Sequence, residues 1–175
     1  MTSRPIATEY AAFFSGYVSL VSEDDVLTVL ENQLADLTRF AAKVTSDRER
    51  FRYAPDKWSI REVFGHLIDA ERVFGYRAFC ISRGEKASLP GFDENVYVEQ
   101  SSYDRQPLVD LLSEFNTVRK GTIAFLRRLD EQDWVRLGTA SNNPISVRAL
   151  AFIMAGHVRH HFNVMRERYG IPSGA

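Results

Sequence analysis

Apolar residues recur at three- and four-residue intervals over four stretches of this 175-residue chain, the spacing that lines one face of an α-helix. Leu27, Leu30, Leu34, Leu37 and Ala41 form the first series. Ser22-Glu-Asp-Asp25 ahead of it has the form of a capping box, and together they predict a helix over about 23–45. Ile60, Val63, Phe64, Leu67, Phe74 and Ala78 form the second. Ser59 is placed to cap it, Glu62 to reach back as the third-position acid, and Gly84 to stop it, which predicts a helix over about 60–83. Leu108, Leu111, Leu112, Phe115, Val118, Thr122, Phe125 and Leu129 form the third, with Pro107 suited to a first turn, over about 107–129. The fourth runs over about 147–169 from a cap at Ser146 to a stop at Gly170 and Pro172, with Leu150, Met154, Val164 and Met165 on its apolar face.

No stretch shows a convincing apolar–polar alternation, so the expected class is all-α, a four-helix bundle. Residues 84–106 are long for a connection and are expected to cross the bundle as an irregular segment between the second and third helices. A crossover of that length lets those two helices run parallel, and long loops of this kind often cover a site. Gly138 to Pro144 is rich in turn formers and reads as a loop. Tyr10, Phe13, Phe14 and Tyr17 crowd the first 21 residues; so aromatic a segment is expected to lie as an arm against the bundle, within one domain spanning 1–175.

Composition narrows the function classes. With 45% hydrophobic and 26% charged residues and a formal charge of −1, the chain reads as a soluble globular protein. No basic run argues for nucleic acid or an anionic membrane surface, and no apolar run approaches the roughly 20 residues of a membrane span. Glu9 interrupts any signal-type apolar core, so a cytoplasmic location is expected. The single cysteine, Cys80, excludes an internal disulfide and a cysteine-based zinc site and reads as a small core residue.

The histidines carry the candidate chemistry. His157 and His161, four residues apart on the fourth helix, stack on one face about 6 Å apart along the axis. That spacing lets two imidazoles converge on one metal ion. The face is apolar, so both rings point inward, where an unpaired nitrogen costs free energy. A third ligand must come from elsewhere, and outside this helix His66 is the only histidine. Three neutral imidazoles from two helices would leave a coordination position open, as a catalytic site requires; the plain alternative is three hydrogen-bonded core histidines. Val158 stands where the protease signature H-E-x-x-H has its glutamate. His160 lies about 100° around the helix from His161, which places it behind the ligands, at a pocket rim or in a subunit contact. Asp69, one turn after His66, either orients that ring by accepting its second N–H or is a solvated carboxylate. Arg77, Tyr97 and Trp58 are candidates for a pocket wall, with packing as the alternative.

Three segments carry a family resemblance: Trp58-Ser-Ile-Arg-Glu-Val-Phe-Gly-His66-Leu-Ile-Asp-Ala-Glu71 through Arg77, Leu89-Pro-Gly-Phe-Asp-Glu-Asn-Val-Tyr97, and Gly156-His157-Val-Arg-His160-His161. In these the chain resembles the DinB/YfiT-like superfamily over almost its whole length. The resemblance implies a four-helix bundle with a long crossover, often a homodimer, and a divalent ion, commonly zinc or nickel. One histidine of helix two and two of helix four would hold it, at positions matching His66, His157 and His161. Relatives include thiol-dependent transferases and an isomerase. The expected function is therefore that of a metal-dependent enzyme, a low-molecular-weight thiol S-transferase acting on a small molecule. The alternatives are a metal-dependent hydrolase and a non-catalytic metal-binding stress-response module. A shared fold does not choose among them.

Overall fold

A computed structural model describes residues 3–172. Its frame is four helices: α2 (Val26–Ala41), α3 (Ile60–Ser82), α5 (Leu108–Leu126) and α7 (Val147–Tyr169). Three short helices lie between or before them, α1 (Ser15–Ser19), α4 (Glu94–Gln100) and α6 (Glu131–Val135), with a hairpin of β1 (Leu137–Ala140) and β2 (Asn143–Ser146). The caps explain most boundaries. Ser59 Oγ accepts the Glu62 N–H at 3.2 Å while Glu62 Oε2 accepts the Ser59 N–H at 2.7 Å, so α3 starts in a complete capping box. Ser146 Oγ accepts the Ala149 N–H at 3.0 Å and starts α7. Gly84 and Gly170 follow α3 and α7 at φ 84° and 65°, a region where a Cβ is unfavourable.

Each long helix packs on two others. α3 lies against α5 and α7, and α2 against the same two, which leaves α2 and α3 on one diagonal of the bundle. Side-chain pairs fix the directions. Arg72 meets Glu114 and Phe79 meets Phe125, so α3 and α5 run parallel. Gln33 reaches Ala155 and Phe40 stacks on Phe162, so α2 and α7 also run parallel. The Tyr169 hydroxyl donates to Trp58 O at 2.7 Å, which brings the end of α7 to the start of α3, antiparallel to it. The order is up, down, down, up, and the long crossover makes the parallel α3–α5 pair possible.

The structure corrects several details. The first long helix is capped by Asp25, whose carboxylate accepts the Leu27 and Thr28 N–H groups; Ser22 turns to Glu23 instead. The helix ends at Ala41, where the chain tightens into i→i+3 bonds, Lys43 N–H to Phe40 O at 3.1 Å and Val44 N–H to Ala41 O at 2.9 Å. The crossover is not wholly irregular. Asp93 caps α4 through the Asn95 and Val96 N–H groups, Val98 is buried beneath it, and a 3₁₀ turn follows at Tyr103–Arg105.

Residues 138–144 are a hairpin rather than a loop, paired Gly138 with Ile145 and Thr139 with Pro144. Its two-residue turn has Ser141 and Asn142 at φ 49° and 61°, the twist that suits tight hairpins. The hairpin clasps the crossover: the Leu89 N–H donates to Thr139 O, and the Ser141 N–H to Leu89 O, each at 2.9 Å. Among the described residues no helix is long and apolar enough to cross a membrane.

The interior divides into two apolar clusters, one around Leu150, Phe152 and Ile153 and one around Phe64, Phe115 and Met165. A buried polar network uses all four long helices. Arg119 Nε and Nη2 donate to the two oxygens of Glu71 at 2.7 and 2.9 Å, and Arg119 Nη1 donates to Gln33 Oε1 at 2.9 Å. Gln33 Nε2 donates to Ala155 O at 2.8 Å. A fully buried cation is tolerated only when paired and hydrogen-bonded in this way. The network fixes the register of α2, α3, α5 and α7 one half-turn before His157.

Candidate metal centre

α3 brings in His66, and α7 brings in His157 and His161. The rings meet: His66 Nε2 lies 2.9 Å from His157 Nε2, and His161 Nε2 lies 3.0 Å from the same atom. All three are buried, at 6%, 5% and 9% exposure. Trp58 packs its ring 4.8 Å from that of His66. Tyr17, from the aromatic arm, sets its edge against His157 and His160 at 5.4 and 5.3 Å. The arm reaches this position because Gly156 has no side chain. A Cβ there would lie 2.0 Å from Tyr17 O, so α1 can seat its backbone on α7 beside the histidines. Glu9, buried at the arm's base, accepts Ser146 Oγ–H at 2.6 Å and Arg148 Nε–H at 2.7 Å, which fastens the arm to the start of α7.

Burial and crowding keep the imidazoles neutral. His66 is pushed down to about 4 by burial and by the nearby His160. Burial, with the neighbouring histidines, holds His157 and His161 well below the ordinary imidazole range. A neutral Nε2 carries either one N–H or one lone pair, so His157 Nε2 cannot make a good hydrogen bond to both neighbours at once. A cation among three lone pairs removes that conflict. Two nitrogens each 2.0–2.2 Å from one ion lie about 3.0 Å apart at a right angle and about 3.4 Å apart at the tetrahedral angle. The His66–His157 and His157–His161 spacings fit a shared divalent ion, and all three ligand atoms lie within 4.8 Å of one another. Among the described residues, this trio is the one group of histidine, cysteine or carboxylate side chains close enough together to hold one.

The remaining expected site residues divide. Asp69 does not orient His66; its Oδ1 accepts the Tyr103 hydroxyl at 2.6 Å, and His66 Nδ1 and His161 Nδ1 are buried without a partner. Helical spacing places Asp69 one turn from His66, but the 3₁₀ turn at Tyr103 claims its carboxylate. His160, Trp58 and Arg77 line the cavity of about 460 Å³ that opens on the three rings. Tyr97 does not; it belongs to a neighbouring depression beside Pro90 and Phe92, with its ring 5.3 Å from that of Phe92. Cys80 is partly buried, packed against the core rather than within it. Tyr17, Phe74 and Ser141 also line the cavity, and none was among the expected site residues. The aromatic arm was the available signal for Tyr17, whereas Ser141 depends on a hairpin that the sequence does not announce.

Fold and site together define a four-helix bundle that brings three histidines from two helices to one wall of a cavity. The chain belongs to the DinB superfamily, whose model matches residues 30–165. No curated protein matches it. Among solved structures it is similar to YfiT from Bacillus subtilis, described as a probable metal-dependent hydrolase with an unusual four-helix bundle topology. That likeness has a TM-score of 0.75 at 18% identity and covers 98% of this chain and 95% of that one. It is also similar to a mycothiol-dependent maleylpyruvate isomerase, with a TM-score of 0.65 at 11% identity, over 84% of this chain and 61% of that one. A DinB-like protein of Bacillus subtilis, YjoA, matches with a TM-score of 0.58 at 18% identity, over 86% and 94% of the two chains. At these identities the likeness is one of fold.

Proposed function

We propose that this protein is a divalent-metal-dependent enzyme acting on a small molecule, with His66, His157 and His161 as ligands to zinc or nickel, and that it joins a low-molecular-weight thiol, through its sulfur, to an electrophile. One observation carries the reading: His66 Nε2 and His161 Nε2 each lie within 3.0 Å of His157 Nε2, and the three neutral rings face an open cavity large enough for a substrate. A structural site would enclose its ion on every side. The bound ion would supply Lewis acidity, lowering the pKa of a thiol or a water beside it. The chain's own residues do the rest. Depressed pKa values leave the three rings unprotonated at neutral pH, so no proton must be displaced before the ion enters. Trp58, Phe14 and Phe74 supply apolar surface to the cavity wall beside the rings. His160, in the same cavity but outside the trio, offers an imidazole that can accept the proton the thiol loses. No cysteine lines the cavity, which agrees with a cosubstrate that brings its own sulfur. The fold likeness to a mycothiol-dependent isomerase supports the same choice.

A second reading, hydrolysis through an activated water, is favoured by the likeness to YfiT along almost the full length of both chains. The test is a conjugation assay with several thiols across a panel of electrophiles, alongside ester and amide substrates without thiol. Conjugation that requires both thiol and metal supports the transferase. Metal-dependent cleavage without thiol supports the hydrolase, and turnover unaffected by removing the metal contradicts both.

A further inference from the structure

Arg77 projects from α3 into the cavity that the histidines face, and it is only 3% exposed. Its Nη2 donates to Pro90 O at 2.7 Å and to Ser141 Oγ at 3.2 Å. Among the described residues, its Nε and Nη1 meet no acceptor and no carboxylate forms an ion pair with it. The other arginine buried to this degree, Arg119, is neutralised by both oxygens of Glu71. A buried guanidinium without a counter-ion is costly, and the cost makes sense where the counter-ion arrives with a ligand. The rings of Phe74 and Phe92 each lie 5.9 Å from the guanidinium carbon, so the approach to the charge is through apolar walls. Glu94, the acidic residue of the cavity, is exposed on α4 and leaves Arg77 unpaired.

We propose that Arg77, with Ser141 beside it, is the anion subsite of this cavity, and that the substrate is a small carboxylate with an apolar or aromatic body. The proposal rests on the metal-dependent reading for the reacting end of the substrate, which would sit at the histidines while the carboxylate is held at Arg77. A single guanidinium whose Nε and Nη1 N–H groups have no acceptor matches the single charge of a carboxylate and offers it charge-assisted hydrogen bonds. A dianionic phosphoryl group would remain under-neutralised there. The aromatic walls supply contact area for the body of the molecule, as in other small-molecule sites.

Isothermal titration of the intact protein tests this, in metal-free and zinc-loaded forms, with phenylacetate, its neutral isostere phenylacetamide and phenylphosphate. The expected result is binding of phenylacetate at least about tenfold tighter than the amide in both forms, the scale of a charge-assisted hydrogen-bonded contact. Arg77→Gln should abolish that preference and Arg77→Lys should keep part of it. The isostere comparison uses the unaltered protein, so it stands even where Arg77→Gln fails to fold. Equal binding of acid and amide, or no saturable binding of phenylacetate up to about 10 mM, overturns the subsite. So does a preference seen only in the zinc-loaded form and unchanged by Arg77→Gln, which would place the carboxylate on the metal. Tighter binding of phenylphosphate overturns the carboxylate assignment. A protein that prefers the acid but takes up no zinc keeps the subsite and refutes the metal-dependent function.

Discussion

His157 is the residue on which the site turns, because its Nε2 faces two other imidazoles and can satisfy only one of them. Its place beside His161 was legible from a four-residue spacing on an apolar face, and His66 from being the only other distant histidine. The partners of these rings were not legible, since Asp69 is taken by Tyr103 through a turn that no periodicity reveals. Burial also changes the acid behaviour that the residue types alone suggest. From unperturbed imidazoles, metal should be released near pH 6–7; with His66 lowered to about 4 and the others lowered as well, occupancy should persist well below that range. The same shifts govern the metal-free protein. Each ring takes up a proton in the unfolded chain near its ordinary 6.5 and in the folded chain only near the depressed value. For His66 the stability this contributes is complete above pH 6.5 and is lost as pH falls toward about 4, by up to about 1.4 kcal/mol per pH unit; His157 and His161 act in the same direction. Urea unfolding of the metal-free protein across this window should show that fall, and His66→Gln should reduce its slope. A flat profile would mean the rings are not buried as neutral groups.

At the level of elements, the amphipathic series located all four long helices, and the capping residues Ser59 and Ser146 located two of their starts. The exceptions have local physical causes. Asp25 outcompetes Ser22 as a cap because its carboxylate reaches two N–H groups. The hairpin at 137–146 lacks alternation and carries Pro144, which sits in β2 of a two-stranded sheet, so it could only be read as a turn. Arg119 lay within an apolar face, and a charge in that position was the signal for the buried network that the sequence reading passed over. Arg119→Met should cost about 3–5 kcal/mol, because it leaves Glu71 buried and unpaired. The double replacement with Glu71→Leu should cost much less, and denaturant unfolding of the two variants decides it. Gly156→Ala drives a Cβ into the backbone of the arm and should destabilise by about 1–3 kcal/mol. Hydrogen exchange should rise over α1 while the α3 and α5 amides stay protected.

For the whole molecule, the hairpin, the aromatic arm and the crossover that joins the parallel α3–α5 pair each supply residues to the histidine cavity, Ser141, Phe14 and Phe92 among them. The two apolar clusters are complete without any ion. A chelated protein should therefore remain helical by circular dichroism and unfold cooperatively at a lower temperature, whereas a metal that served only to hold the bundle together would leave an unfolded chain on removal. Restoring the ion at about a hundredfold its Kd should add about 2.7 kcal/mol of stability. The central claim is that His66, His157 and His161 hold one ion. The most direct test is elemental analysis of the purified chain after zinc or nickel loading and exhaustive dialysis, for the wild type and the four single histidine-to-alanine variants. One ion per chain is expected in the wild type, a sharp loss in His66→Ala, His157→Ala and His161→Ala, and near-full content in His160→Ala. Metal content unchanged by all four replacements, or lost chiefly in His160→Ala, would contradict the account.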